Sequence, residues 1–318
     1  MSLSLALANA ATGLTASARA IQVASGNVAN SQTPGYSVRM LQLTAAALGG
    51  QGAGVRVLGV ERQVDPVLTG LLRNAGAARA EADVQAGFWA AIEGALGLPG
   101  APGSLTEALG RLTSALVGAI DRPDLDNRLS AVASAAAGLA GKLNAVEVEL
   151  QAQRQAADSA IGRDVAALET GLGRLQALGT DIAALRASGQ STLDLEDERD
   201  MLLASLSEIV PLRTMARPDG HLLVYTEGGM VLLDRKIASL DFQPAAVVTA
   251  GMTLGGGQLS GLTVNGREVP TGPGGPFSGG RLAAAFAFRD RDGPAVQAAL
   301  DTLAQSLIAR VEGPPTDP

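Results

Sequence analysis

At residues 25–39 the chain reads SGNVANSQTPGYSVR, and the character of the sequence changes across it. Upstream, Leu3, Leu7, Ala10, Leu14, Ser17, Ile21, Ala24 and Val28 recur at spacings of four and three. That heptad stripe predicts one helix over residues 1–29, with a narrow seam rather than the wide apolar face of a globular helix. Two readings stand: a seam that awaits another helix, or a surface helix on its own domain. Alone in water such a helix is marginal. Each Leu adds about 1.5–3 kcal/mol only when something covers it. Asn30 fits a left-handed C-terminal cap. Thr33-Pro34-Gly35-Tyr36 fits a type II turn, with proline second and glycine third. Beyond it Tyr36, Val38 and Met40 alternate, as do Val55 and Val57, which predicts two strands over 36–62. The intervening LGGQGAG (48–54) reads as a flexible connection.

The rest of the chain alternates long helices with one β region. Residues 66–95 read as helix, and GLPGAPGS (97–104) breaks it. Ser104 and Glu107 have capping-box spacing for a helix to Ile120. DRPD (121–124) is the next turn, with Asp124 the expected N-cap. No proline occurs from 125 to 187. There Leu129, Val132, Ala136, Leu139, Leu143, Val146 and Leu150 form a second heptad series. The phase slips near Ala157, and Ile161, Val165, Leu168, Leu172 and Leu175 take over, as a stutter does. An unbroken helix of that length spans on the order of 90 Å. A break near Gly162, Gly171 or Gly173 is the competing reading. A helix restarts near Asp194. From 212 the period becomes two, with Gly228-Gly229 between apolar runs and Asn265-Gly266 as a type I′ turn. Val296, Leu300, Leu303 and Leu307 give a third heptad in a helix over 292–311, and EGPPTDP ends the sequence as loop.

The expected fold is therefore α+β: an elongated long-helix bundle or coiled-coil rod with an inserted small mainly-β domain. Residues 1–35 form the N-terminal coiled-coil helix. Residues 36–211 form a helical rod domain with a short hairpin at 36–62. Residues 212–285 form the β domain, and 286–318 the returning helix and terminal loop.

Composition narrows the function. The formal net charge is −7, and the arginines are interleaved with carboxylates. Binding a nucleic-acid backbone or an anionic membrane surface needs clustered cations, so neither is an expected partner. There is no cysteine and one histidine, His221, which removes thiolate chemistry, disulfides and His-His metal sites. The first basic residue is Arg19, so no secretory signal peptide is expected. No run of about 18 uninterrupted apolar residues predicts a membrane span either.

Candidate chemistry is sparse. Asp194, Glu196, Asp197, Glu198 and Asp200 offer carboxylates for a metal or for acid–base work. Their spacing is not that of a calcium loop, and carboxylates in a first helical turn also answer the helix dipole, with Arg199 at hand as an ion-pair partner. GGQGAG (49–54) and GGGQ (255–258) lack the Gly-Lys-Ser/Thr ending of a phosphate loop. His221 reads as turn-flanking. Phe88 and Trp89 read as packing anchors. No catalytic, cofactor-binding or metal-binding residue is assigned.

A heptad helix ending in SGNVANSQTPGYSVR resembles the N-terminal signature of flagellar axial proteins, the rod, hook and hook-associated proteins. Asn27, Asn30, Thr33, Gly35 and Tyr36 fill the positions of that motif, and Pro34 the variable one. GVRVLGVERQVDPVL (54–68) follows it. LDLEDERDMLLASLSEIVPL (193–212), with DGHLLVYTEGGMVLL (219–233), and SGGRLAAAFAFRD (278–290) resemble the hook-associated members, in family order. The resemblance implies a structural, non-enzymatic subunit at the junction of hook and filament. Its implied partners are further copies in a ring, the hook protein, and a second hook-associated protein or the filament. It implies an extracellular location on the flagellum, reached through the flagellar type III apparatus without a cleaved signal peptide. Leu3, Leu7, Leu14, Ile21 and Val28 would then carry assembly packing. A hook or rod subunit is the alternative, and a secreted hydrolase using the 194–200 carboxylates a more distant one. Family chains carry a further C-terminal region whose heptad helix pairs with the N-terminal one and which the export chaperone binds. This sequence stops at Pro318, as a piece of a longer protein or a short member would.

Overall fold

The computed structural model describes residues 3–48, 51–218 and 220–312. Helix α1 (Leu3–Ala29) leads into a hairpin of β1 (Arg39–Leu48) and β2 (Gln51–Arg62). Arg39 pairs with Arg62 at its open end and Leu48 with Gln51 at its tip, with two bulges between. The expected loose connection is thus mostly strand: Gln51–Gly54 belongs to β2, while Gly49 and Gly50 lie outside the described residues. The reason is α1. Gly54 has φ +92°, and a Cβ there would collide with Thr12 of α1. Gly54 lets the helix lie against the strand.

Helix α2 (Pro66–Leu96) starts where the Asp65 carboxylate accepts from the Val67 and Leu68 N–H groups, with Pro66 in the first turn where no N–H is needed. Helix α3 (Leu105–Asp121) is capped by Ser104, whose hydroxyl accepts from Glu107 N at 3.1 Å. Glu107 reaches back one residue further than a capping box does, accepting from Gly103 N at 2.9 Å.

Helix α4 (Asp126–Ala187) runs 62 residues without a break. It starts after Leu125; Asp124 does not cap it, because Arg122 holds that carboxylate at 3.1 Å. Gly162 and Gly171 are points of close approach, not breaks. A Cβ on Gly162 would stand 2.7 Å from Pro244, and one on Gly171 2.5 Å from Leu206. By length and composition α4 could cross a membrane: one 18-residue window has mean hydropathy 1.3 and is little buried. The expectation of no such helix rested on uninterrupted apolar runs, whereas alanine carries this hydropathy.

Helix α5 (Leu193–Ile209) has Thr192 as its N-cap residue, with Asp194 and Glu196 in the first turn. Strands β3 (Leu212–Ala216), β4 (Leu222–Thr226), β5 (Val231–Asp234) and β6 (Lys236–Ile237) make one antiparallel sheet in sequence order. Strands β7 (Leu240–Asp241), β8 (Leu262–Val264) and β9 (Arg267–Val269) make a second. Asn265 (φ 51°) and Gly266 (φ 74°) form the expected left-handed turn between β8 and β9.

Helix α6 (Gly280–Ala287) begins inside the stretch expected to be β, and a π-helical turn (Phe288–Asp292) joins it to α7 (Gly293–Glu312). The expected helix over 292–311 included Gly293-Pro294, and the structure carries helix back to Gly280. The π turn absorbs that proline, with Gly293 N bonded to the Phe288 carbonyl. The expected terminal loop, 313–318, lies outside the described residues.

One hydrophobic cluster spans these elements. It takes Leu150, Ile161, Leu168 and Leu172 from α4, Leu203 and Leu206 from α5, Val224, Leu233 and Leu262 from the strands, and Leu282, Phe286 and Phe288 from α6 and the π turn. Phe88 stacks on Phe288 at 4.4 Å and Trp89 meets the same ring edge-on. The middle of α4 therefore packs on sheets and helices together, not on a single partner helix. Where its heptad slips, Arg154, Ala157 and Asp158 are all buried.

Candidate assembly site at the α1–hairpin junction

The motif residues of 27–36 come together at the exit of α1. Asn27 uses its side-chain amide as a strand would use its backbone: Nδ2 donates to the Arg39 carbonyl at 2.9 Å, and Oδ1 accepts from Arg39 N at 3.0 Å. The Tyr36 hydroxyl donates to the same Oδ1 at 2.9 Å, and Arg39 stacks over the Tyr36 ring. Thr33–Tyr36 is the expected turn: Tyr36 N donates to the Thr33 carbonyl at 3.2 Å, and Gly35 has φ +78°. A Cβ on Gly35 would overlap the Met201 thioether of α5. Asn30 departs from expectation. Its φ is not positive; its side chain instead donates to the Gly26 carbonyl at 3.0 Å, and Thr33 bonds its Oδ1.

Helix α1 rests on the hairpin through its small and polar face. Ala16 is its buried residue, Val55 N donates to the Thr12 hydroxyl at 3.2 Å, and Asn9 donates to the Gly52 carbonyl at 3.2 Å. The opposite face is bare. Leu3, Leu7, Leu14, Ile21 and Val28 are 89, 71, 74, 67 and 75% exposed. A second bare apolar patch, which the sequence reading did not single out, is Val67, Leu68, Leu71 and Leu72 on the first turns of α2. Its signal was the i, i+1, i+4, i+5 spacing beside Pro66.

The acidic cluster of α5 is filled by arginines. Arg39 meets Asp194 and, at 3.5 Å, Asp197. Arg62 meets Asp197 at 2.8 Å, Asp200 at 2.5 Å and Glu196 at 3.4 Å. Arg186 and Arg174 of α4 take Glu196 and Glu198 at 2.9 and 2.6 Å. Arg199, the neighbour expected to pair there, reaches only Asp200, at 3.5 Å. Burial alone would raise the Glu196 pKa. The Thr192 hydroxyl, Arg186 and Arg62 outweigh that and hold it below the usual value. All five carboxylates thus face guanidinium groups, and among the described residues no metal-binding group of three is assembled. Sequence reasoning missed Arg39 and Arg62 as partners, because they lie well over a hundred residues from α5.

His221 precedes β4 and sits against α4, where a Cβ on Gly179 would come within 3.0 Å of its Nδ1. The 255–258 glycines belong to a loop that Arg154 and Arg289 anchor. Arg154 donates to the Thr249 and Met252 carbonyls. Arg289 pairs with Asp158 at 2.7 Å and donates to the Ser260 carbonyl.

These features define a mostly helical α+β protein with large apolar side chains exposed on helix faces. Comparison with known proteins agrees. A family model described as the flagellar hook-associated protein FlgK helical domain matches residues 90–313. Flagellar hook-associated protein 1 of Salmonella typhimurium is 25% identical over 237 residues, 72% of this chain and 42% of its own length. The Escherichia coli K12 protein of the same name is 24% identical over 237 residues, 72% of this chain and 43% of its own. The structure of the flagellar hook junction protein FlgK from Burkholderia pseudomallei superposes with a TM-score of 0.60 at 20% identity, over 77% of this chain and 42% of that one. This chain belongs to the FlgK helical-domain family. It spans less than half the length of the relatives it matches, and α1 and the hairpin lie outside the family match.

Proposed function

We propose that the chain is part of a structural, non-enzymatic subunit of the bacterial flagellum, at the junction of hook and filament. It acts by burying helix faces on neighbours. The carrying observation is the bare heptad on α1: five large apolar side chains, each at least 67% exposed, on a helix whose other face is already docked. Burying each would contribute about 1.5–3 kcal/mol, so an ordered assembly is the state that satisfies this helix. The names of the relatives support the position at the junction. In this reading Leu3, Leu7, Leu14, Ile21 and Val28 pack against neighbouring copies or a terminal helix, as part of an elongated coiled-coil rod. Asn27, Asn30, Thr33, Pro34, Gly35 and Tyr36 turn the chain away from that layer. A ring of copies, the hook protein and a second hook-associated protein are the partners. The location is extracellular, reached by the flagellar export apparatus, with an export chaperone as a further partner.

The hydrolase alternative is disfavoured because every carboxylate it would use is paired with arginine. Immunogold labelling of isolated hook–basal bodies separates the junction from a hook or rod subunit. A junction protein labels the distal end of the hook alone; label along the whole hook or the rod contradicts the proposal.

A further inference from the structure

Helix α1 and the hairpin are joined to the rest of the molecule in an unusual way. Extensive packing links α1 to β1 and β2, and none of comparable extent links any of the three to α2–α7. Among the described residues, none of α1, β1 or β2 belongs to the hydrophobic cluster. The covalent link is Gln63–Val64–Asp65, all exposed. What holds this unit to the helical body is charge. Arg39 and Arg62, opposite each other at the open end of the hairpin, grip Asp194, Glu196, Asp197 and Asp200 on the first two turns of α5. Met201, in the hollow over Gly35, is the apolar part of the contact.

We propose that α1 and the hairpin form one rigid unit hinged at 63–65, and that the arginine clasp on α5 is a salt-sensitive latch that sets its angle.

A latch made of ion pairs differs from an apolar interface in a testable way. Charge pairs fix orientation through geometry, but mobile ions weaken the solvent-exposed ones and protonation removes a carboxylate's pair, whereas apolar burial survives both; Arg39 with Asp194 is the exposed arm of the clasp and Arg62 with Asp197 the buried one. The groups facing the clasp carboxylates are Arg39 and Arg62 from the hairpin, Arg186 and Thr192 ahead of α5, Arg199 within it, and Arg73 of α2, whose charge lies near Asp200. Glu196 is held below its ordinary value, against the effect of burial, by Thr192 and Arg186 and then by Arg62, so the stability these contacts contribute is present above that ordinary value and is lost as the pH falls through the lower folded one. The latch goes beyond the assembly proposal and does not depend on it. It gives the bare face of α1 a direction that solution conditions can release.

The chain has no cysteine, so two can be introduced as spin-label sites: Ala20→Cys on α1 and Ala177→Cys on α4, both exposed. Electron–electron distance measurements on the full chain read the angle directly. In dilute buffer one narrow distance distribution is expected. The Arg39→Ala/Arg62→Ala pair should broaden it and shift its mean, while circular dichroism and the thermal transition of the helical body stay in place. Salt at about 1 M, where the screening length falls to about 3 Å, should do the same with the clasp residues intact. Arg174→Ala, which breaks an ion pair between α4 and α5 only, should leave the distribution narrow. An unchanged narrow distance in the double variant, or in high salt, overturns the latch.

Discussion

Asn27 is the residue on which the local geometry turns. One amide serves the Arg39 N–H, the Arg39 carbonyl and the Tyr36 hydroxyl. Asn27→Ala strands all three, and unsatisfied groups of this kind cost about 1–3 kcal/mol. The expected readout is faster amide exchange at Arg39 with little change in total helicity. Gly35 is a second such position. Gly35→Ala places a side chain in the left-handed region, at about 1–2 kcal/mol, and against Met201. It should lower the midpoint of chemical denaturation for the 27–39 turn before the helical body is affected. Both residues were visible in the sequence, because a Pro-Gly turn and its flanking amides are local patterns. Arg39 and Arg62 were not. Their partners are set by the fold, and no local signal marks an arginine as half of a clasp.

At the scale of elements, α4 shows how far periodicity carries. Its length and its phase slip follow from the sequence, because the apolar positions repeat through both. What occupies the slip does not. Arg154 and Asp158 sit inside, where a heptad reading has no place for charge. Asp158 is fully buried against Arg289. Arg289→Met leaves that carboxylate unpaired and should destabilise the fold by about 3–5 kcal/mol, measured by urea denaturation. The glycines of α4 separate into two classes that sequence alone cannot distinguish. Gly141 has open space, so Gly141→Ala should stabilise by about 0.5–1 kcal/mol through helix propensity. At Gly171 an added methyl would sit 2.5 Å from Leu206, so Gly171→Ala should cost about 1–3 kcal/mol through overpacking. Helix α6 was not anticipated, because residues to 285 were assigned to the β domain; the π turn after it carries Phe288, which stacks on Phe88, a contact set by the fold.

At the scale of the molecule, long helices and a strand-rich segment could be read from the periods alone. The shared core could not, since it joins α4 to strands far along the chain. The exposed face of α1 was expected from its narrow stripe, and the structure adds that its other face is committed to the hairpin. That division leaves the face free for the assembly proposed above. Leu14 and Ile21 are 74% and 67% exposed, so replacing them does not disturb the packing of the isolated chain. The most direct test is therefore the Leu14→Asp/Ile21→Asp variant in flagellated cells, with filaments on hooks counted by electron microscopy and the purified chain checked by circular dichroism. The account predicts a folded chain and hooks without filaments. Filaments attached in normal number, on cells that swim normally, would contradict it.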